Sequence, residues 1–159
     1  PPEADASWTT QSGLALAVLT ADCVPILLWS ERTMAIAAVH AGWRGLHNKI
    51  LQHALTSMGQ PPSQLCAWIG PCISAQHYEV GEDVWGYFKA DFPGCLQSHP
   101  DQVSKRFLDL PGVAQLQLNR AGVKQVYLSD WCSFADPRFY SFRRDGVTGR
   151  MASIIARLD

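Results

Sequence analysis

Between Leu14 and His40 the sequence sets three apolar runs apart with two polar interruptions, and this pattern leaves few folds open. Leu14 to Thr20 and Pro25 to Trp29 are short runs rich in Leu, Val and Ile, which read as buried strands. Ser30-Glu31-Arg32-Thr33 reads as a hairpin turn, and Met34 to His40 as the returning strand. A hairpin folds its two ends together. Cys23, between two strands, and His40, where the returning strand stops, are therefore expected at one end of a sheet.

Downstream, Trp43 to Met58 places Leu46, Ile50, Ala54, Leu55 and Met58 at three- and four-residue spacings, which predicts an amphipathic helix. Gly59 and Pro61-Pro62 stop it. Leu65 to Ile69 reads as a further buried strand, broken by Gly70-Pro71. A shorter helix is expected from Glu82 to Ala90, and an irregular polar loop from Asp91 to Lys105. Asp109 is placed to cap a helix that runs to about Ala121 and ends at Gly122. Val123 to Leu128, Phe139 to Phe142 and Met151 to Leu158 read as strands, with a loop from Ser129 to Arg138. Strands and helices mix without strict alternation, and no linker or repeat divides them. The reading is one α+β domain over residues 1–159, with helices packed on mixed sheets.

A chain of 159 residues that is 47% hydrophobic can bury a real core. The formal net charge of -1 offers no basic excess for phosphate backbones, which argues against nucleic acid as a partner. No apolar run approaches the roughly 20 residues that span a bilayer, so no membrane partner is expected. The five cysteines, Cys23, Cys66, Cys72, Cys95 and Cys132, are odd in number and form no C-x-x-C pair. They read as reduced thiols of a cytoplasmic protein. The chain opens Pro1-Pro2-Glu3 without a methionine.

Four segments carry candidate chemistry. In Thr20-Ala21-Asp22-Cys23-Val24-Pro25, the proline stiffens the backbone that holds Cys23 at a strand lip, and Asp22 is a carboxylate in an apolar stretch that needs hydrogen-bond partners. In Val39-His40-Ala41-Gly42-Trp43-Arg44-Gly45, a strand ends in His40, and Arg44 stands beside a helix N-terminus that favours an anion. Thiolate and imidazole together suit zinc or copper, and equally a cysteine nucleophile with its base. Each residue taken alone reads as readily as packing. The third segment, Trp68-Ile69-Gly70-Pro71-Cys72-Ile73 with Tyr78-Glu79-Val80-Gly81, adds Cys72 as a weaker ligand candidate. The fourth, Phe139 to Arg150, sets Arg143, Arg144 and Arg150 around two glycines, a pattern suited to phosphate or carboxylate or else to surface pairing with Asp145.

The strings TADCVPILLW, AAVHAGWRGL, IGPCISAQHYEVG and the tail from Asp109 to Arg150, in this order, resemble the YfiH-like purine nucleoside phosphorylases, formerly called laccase-like polyphenol oxidases. The resemblance covers nearly the whole chain. It implies a layered α/β/β/α fold and a cytoplasmic zinc enzyme whose metal is held by two histidines and one cysteine. Cys23 and His40 match two of these positions. The third, a histidine well upstream of TADC, has no counterpart here, so the chain is expected to be the C-terminal portion of a longer protein. The implied activity is phosphorolysis of adenosine, inosine and methylthioadenosine, with adenosine deamination. Arg44, Arg143, Arg144 and Arg150 are then candidates to hold phosphate, and Trp43, Tyr140 or Phe142 to stack on the base. Copper-dependent polyphenol oxidation and a metal-free Cys/His hydrolase are the alternatives, and the oligomeric state is left open.

Overall fold

A computed structural model describes residues 4–158. In chain order its strands and helices are β1 (Ala6–Thr9), β2 (Ala15–Thr20), β3 (Val24–Ser30), β4 (Ile36–Ala41), α1 (Trp43–His47), α2 (Ile50–Met58), β5 (Leu65–Ile69), β6 (Glu79–Val80) and α3 (Glu82–Trp85). They continue as β7 (Leu96–Ser98), β8 (Arg106–Leu108), α4 (Leu110–Arg120), β9 (Gln125–Leu128), α5 (Phe142–Asp145) and β10 (Met151–Ala156).

A five-stranded sheet in the order β1-β4-β3-β5-β9 forms the centre. All its pairings are antiparallel except β5 with β9. β3 is buried on both faces, which is why it reads as an unbroken apolar run. Ile26 and Leu28 on one face join Val39, Leu46, Leu51, Leu55 and Val113 under the helices. Leu27 on the other face joins Ala38 and Val18, with Leu16, Trp68 and Ile155 packed alongside. That second layer is a two-stranded sheet of β2 and β10, paired antiparallel from Thr20 with Met151 to Ala15 with Ala156. Helices, large sheet and small sheet therefore stack in that order. The outward positions of the small sheet are apolar and open, with Leu19 61% and Ile154 59% exposed. A three-stranded sheet in the order β6-β8-β7 flanks the core.

The hairpin, β5, the Asp109 cap and the closing strand lie where the sequence places them. The Asp109 carboxylate accepts from the Gly112 N–H at 3.0 Å, and Gly122 turns the chain at φ +85°. Other segments differ. The helix expected from Trp43 to Met58 breaks at Asn48-Lys49, where Lys49 takes the left-handed φ of +59° and turns α1 into α2. The Glu82 helix is regular only to Trp85 and continues in turns to Phe92. The loop from Asp91 contains β7, and β9 begins at Gln125 rather than Val123. Phe139 to Phe142 is not a strand: the buried Ser141 caps α5, its hydroxyl accepting from the Arg144 N–H at 3.2 Å. β1 was not expected from the sequence. It zips onto the edge of β4, with Ala6 opposite Val39.

Candidate functional site

The β3–β4 register sets Pro25 opposite His40 and Val24 opposite Ala41, so Cys23 leaves the sheet beside the imidazole. Cys23 acts on the imidazole more strongly than any other group. Gly42 makes room for the pair, since a Cβ there would stand 3.1 Å from the Cys23 sulfur. The ring nitrogen Nδ1 of His40 meets the Asp5 carboxylate at 2.9 Å, and the His40 backbone N–H donates to the Asp5 carbonyl at 2.7 Å. Asp5 thus holds His40 twice, once by the ring and once by the backbone. Its link to His40 spans 35 residues and left no mark in the sequence pattern. Cys23 first, then Asp5, push the His40 imidazole up to about 9 against the opposing effect of burial.

Asp22 ties three of the candidate segments into one wall. Its backbone sits at φ +88°, a left-handed conformation that Asp tolerates better than most residues. Its buried carboxylate accepts from the Ser133 hydroxyl at 2.7 Å and from the Arg143 N–H at 2.6 Å. Its carbonyl accepts from the Ile73 N–H at 3.0 Å. The partners that this carboxylate requires therefore come from 111 and 121 residues downstream. The buried Ser133 is a site-wall residue that the sequence reading missed, because a lone serine in a loop carries no signal.

The four arginines have different fates. Arg143 is drawn to the wall by its N–H. Its guanidinium donates to the Glu79 carbonyl at 2.7 Å and lies over the Tyr78 ring at 5.0 Å. Burial first, with the charge at Cys23 acting in the same sense, pushes the Tyr78 phenol up to about 12, so it remains a neutral O–H. Arg150 immediately precedes Met151, the partner of Thr20, and so stands at the sheet end where Asp22 and Cys23 emerge. Its Nη1 donates to the Thr148 and Gly149 carbonyls. Arg44 is exposed and lies over the Trp43 ring at 4.3 Å. Arg144 is turned inward. Its Nε and Nη2 bind the Asp145 carboxylate, and its Nη groups also bond the Ser133, Phe134 and Phe139 carbonyls. All five of its N–H donors are engaged, so it clasps the loop before α5 and has none left for an anion.

Cys72 is buried beside Cys132, with which it forms an isolated parallel bridge. Burial, reinforced by the charge at Cys132, drives its thiol far up, so in the metal-free protein it stays protonated. His77 is half-buried and stacks on Phe134 at 4.6 Å instead of facing solvent. Of the three rings considered for stacking on a base, Tyr140 and Phe142 are more than half exposed, while Trp43 already stacks on Tyr87. Among the described residues no group of three His, Cys, Asp or Glu side chains converges on one point.

Residues 1–158 match the family described as multi-copper polyphenol oxidoreductase laccase. The chain belongs to this family. It is 39% identical over 155 residues to a purine nucleoside phosphorylase of Pseudomonas aeruginosa, covering 96% of this chain and 64% of that protein. It is 37% identical over 153 residues to the purine nucleoside phosphorylase YfiH of Escherichia coli, covering 96% of this chain and 63% of the relative. A crystal structure of a Neisseria meningitidis protein superposes with a TM-score of 0.93 at 41% identity, over 99% of this chain and 66% of the other. YlmD from Geobacillus stearothermophilus gives 0.91 at 32% identity, over 99% and 62%. The chain thus spans less than two thirds of the length of these relatives. The resemblance to YfiH-like proteins read from the four strings holds, as does the α+β fold. No described helix is long and apolar enough to cross a membrane.

Proposed function

We propose that the end of the sheet bearing Cys23 and His40 is part of the active site of a zinc-dependent purine nucleoside phosphorylase. One observation carries the reading: Cys23 and His40 emerge side by side at one end of the sheet, with Nδ1 of the imidazole held by Asp5. A metal-ligating histidine almost always binds a carboxylate or carbonyl through its other nitrogen, which fixes the tautomer and raises ligand basicity. The donor set fits zinc in chemistry, a thiolate and an imidazole, but reaches two of the three protein ligands that catalytic zinc usually takes. When bound, zinc would act as a Lewis acid and ease deprotonation of water, chemistry suited also to deamination of adenosine. The relatives named above are called purine nucleoside phosphorylases, which supports nucleosides and phosphate as substrates.

This chain's own residues supply the wall of the site. Asp22 holds Ile73, Ser133 and Arg143 in place, and the adjoining Cys23 is fixed with them. Arg44, Arg143 and Arg150 are the cations that remain for phosphate. Tyr140 and Phe142 offer exposed rings for the base. Tyr78 remains a proton donor at every working pH.

The test has two arms. Zinc titrated calorimetrically into the 159-residue chain should bind weakly, and Cys23→Ser or His40→Ala should remove that binding. Chromatography of the full-length protein with inosine and phosphate should show free hypoxanthine, and with adenosine plus water it should show inosine if deamination shares the site. Oxidation of a phenol by the copper-loaded protein, with no base released, would favour the polyphenol oxidase reading instead. Base release that survives Cys23→Ala would remove Cys23 from the chemistry.

A further inference from the structure

On the helix side of the large sheet, the face away from the small sheet, α1, α2 and α4 enclose a cleft of about 390 Å³ together with the turns after α3. That volume lies in the range of small-molecule sites. Its floor is apolar, with Phe88 and Phe92 buried beneath it. Tyr87 forms a shelf on one side. Its ring is steadied by Trp43 at 5.9 Å and by His47 at 4.2 Å, yet stays 51% exposed. Arg120 holds the opposite side, its guanidinium donating to the Asp91 carbonyl at 2.8 Å and lying over the Phe92 ring at 4.6 Å.

Lys49 also lines this cleft, and it is the unusual residue. It sits at φ +59° in the turn between α1 and α2, a conformation that glycine adopts without strain and a long side chain does not. Its ammonium has no ion-pair or hydrogen-bond partner among the described residues. A strained backbone that carries an unpartnered cation to the rim of an aromatic cleft is a feature in search of a ligand. The Asp91 carboxylate on the same rim accepts hydrogen bonds, and it would repel a second anionic group.

We propose that this cleft is a binding site, separate from the Cys23–His40 site, for an amino-substituted heteroaromatic ring bearing one anionic group, with the ring on Tyr87 and the anion against Lys49 and Arg120. A nucleoside monophosphate has this chemistry and size. The arrangement needs neither the metal nor the nucleoside activity.

Adenosine 5′-monophosphate is the probe, with adenosine and inorganic phosphate as its two halves. Ring-proton resonances of Tyr87 and His47 should move on titration with the monophosphate, and each half alone should bind at least tenfold more weakly. Lys49→Gly should weaken binding at least tenfold without lowering the melting temperature, because glycine relieves the turn. Lys49→Gln, which keeps the strained turn and a long side chain without the charge, should show the same loss. His40→Ala should bind like the parent. No movement at Tyr87 and His47 up to millimolar probe would overturn the proposal. So would parental affinity in both Lys49 variants, phosphate binding as tightly as the monophosphate, or loss of binding in His40→Ala.

Discussion

The carboxylate of Asp22 accepts a 2.6 Å hydrogen bond from the backbone N–H of Arg143, a residue 121 positions away in the chain. With the 2.7 Å bond from Ser133 on its other oxygen, Asp22 has both oxygens matched to donors. Asparagine would fit the left-handed backbone equally well and could keep its oxygen on the Arg143 N–H, but its NH2 would then force the Ser133 hydroxyl to turn from donor to acceptor, and the charge that strengthens both bonds would be lost. Asp22→Asn should therefore cost about 2 kcal/mol, the scale of a hydrogen bond to a buried charged group. Urea unfolding monitored by fluorescence would measure it, and a loss below about 0.5 kcal/mol would show that Asp22 does not hold this wall together.

Asp5 should matter to the metal more than to the fold. It is 60% exposed on the side chain and holds the ring of His40 from behind. Asp5→Asn keeps the size and removes the charge. Zinc affinity of the full-length protein should fall about 10- to 100-fold, as is usual when the partner of a ligating histidine is altered, with the melting temperature nearly unchanged. Parental zinc affinity in the variant would separate Asp5 from the site.

How much of this was legible in the sequence follows from the reach of each interaction. The meeting of Cys23 and His40 was legible because one hairpin separates them, and strand periodicity with a four-residue polar turn fixes a hairpin. The Asp109 cap was legible because a cap is completed within one turn. Asp22 announced only a need, a carboxylate in an apolar stretch, and Ser133 and Arg143 met that need through tertiary packing. The role of Asp5 was hidden for the same reason. The contacts of Arg144 were hidden in a third way. Three arginines around two glycines look alike in sequence, and only the geometry shows that one spends its donors on the Ser133 to Phe139 carbonyls. The break at Lys49 was illegible because nothing local favours a left-handed lysine.

The thiols should separate by pH. Partial burial pushes Cys132 up, but the Ser74 hydroxyl and the N–H groups of Ser74, Ala135 and Phe134 outweigh it and leave that thiol below its ordinary value. Burial raises Cys66, Cys72 and Cys95. Iodoacetamide at pH 7 followed by peptide mass mapping should modify Cys132 ahead of these three, which should react only on unfolding. Labelling of Cys72 at the rate of Cys132 in the native protein would contradict this order.

The imidazole of His40 gives a titration with a defined sign. In the metal-free protein its folded value is pushed up to about 9, by Cys23 first and then Asp5, from an ordinary value of 6.5. The folded state therefore holds this proton more tightly than the unfolded chain. The stability that it contributes is fully present below about pH 6.5 and is lost as the pH rises through about 9. Zinc requires the neutral imidazole, so it must displace the proton, and its affinity should climb across the same window. Proton NMR of the His40 Cε1–H in the metal-free chain would locate the midpoint near 9, and Cys23→Ser should bring it down. A midpoint at or below 6.5 in the parent protein would mean that Cys23 and Asp5 do not hold the proton on His40, and the rise of zinc affinity with pH should then level off near neutrality.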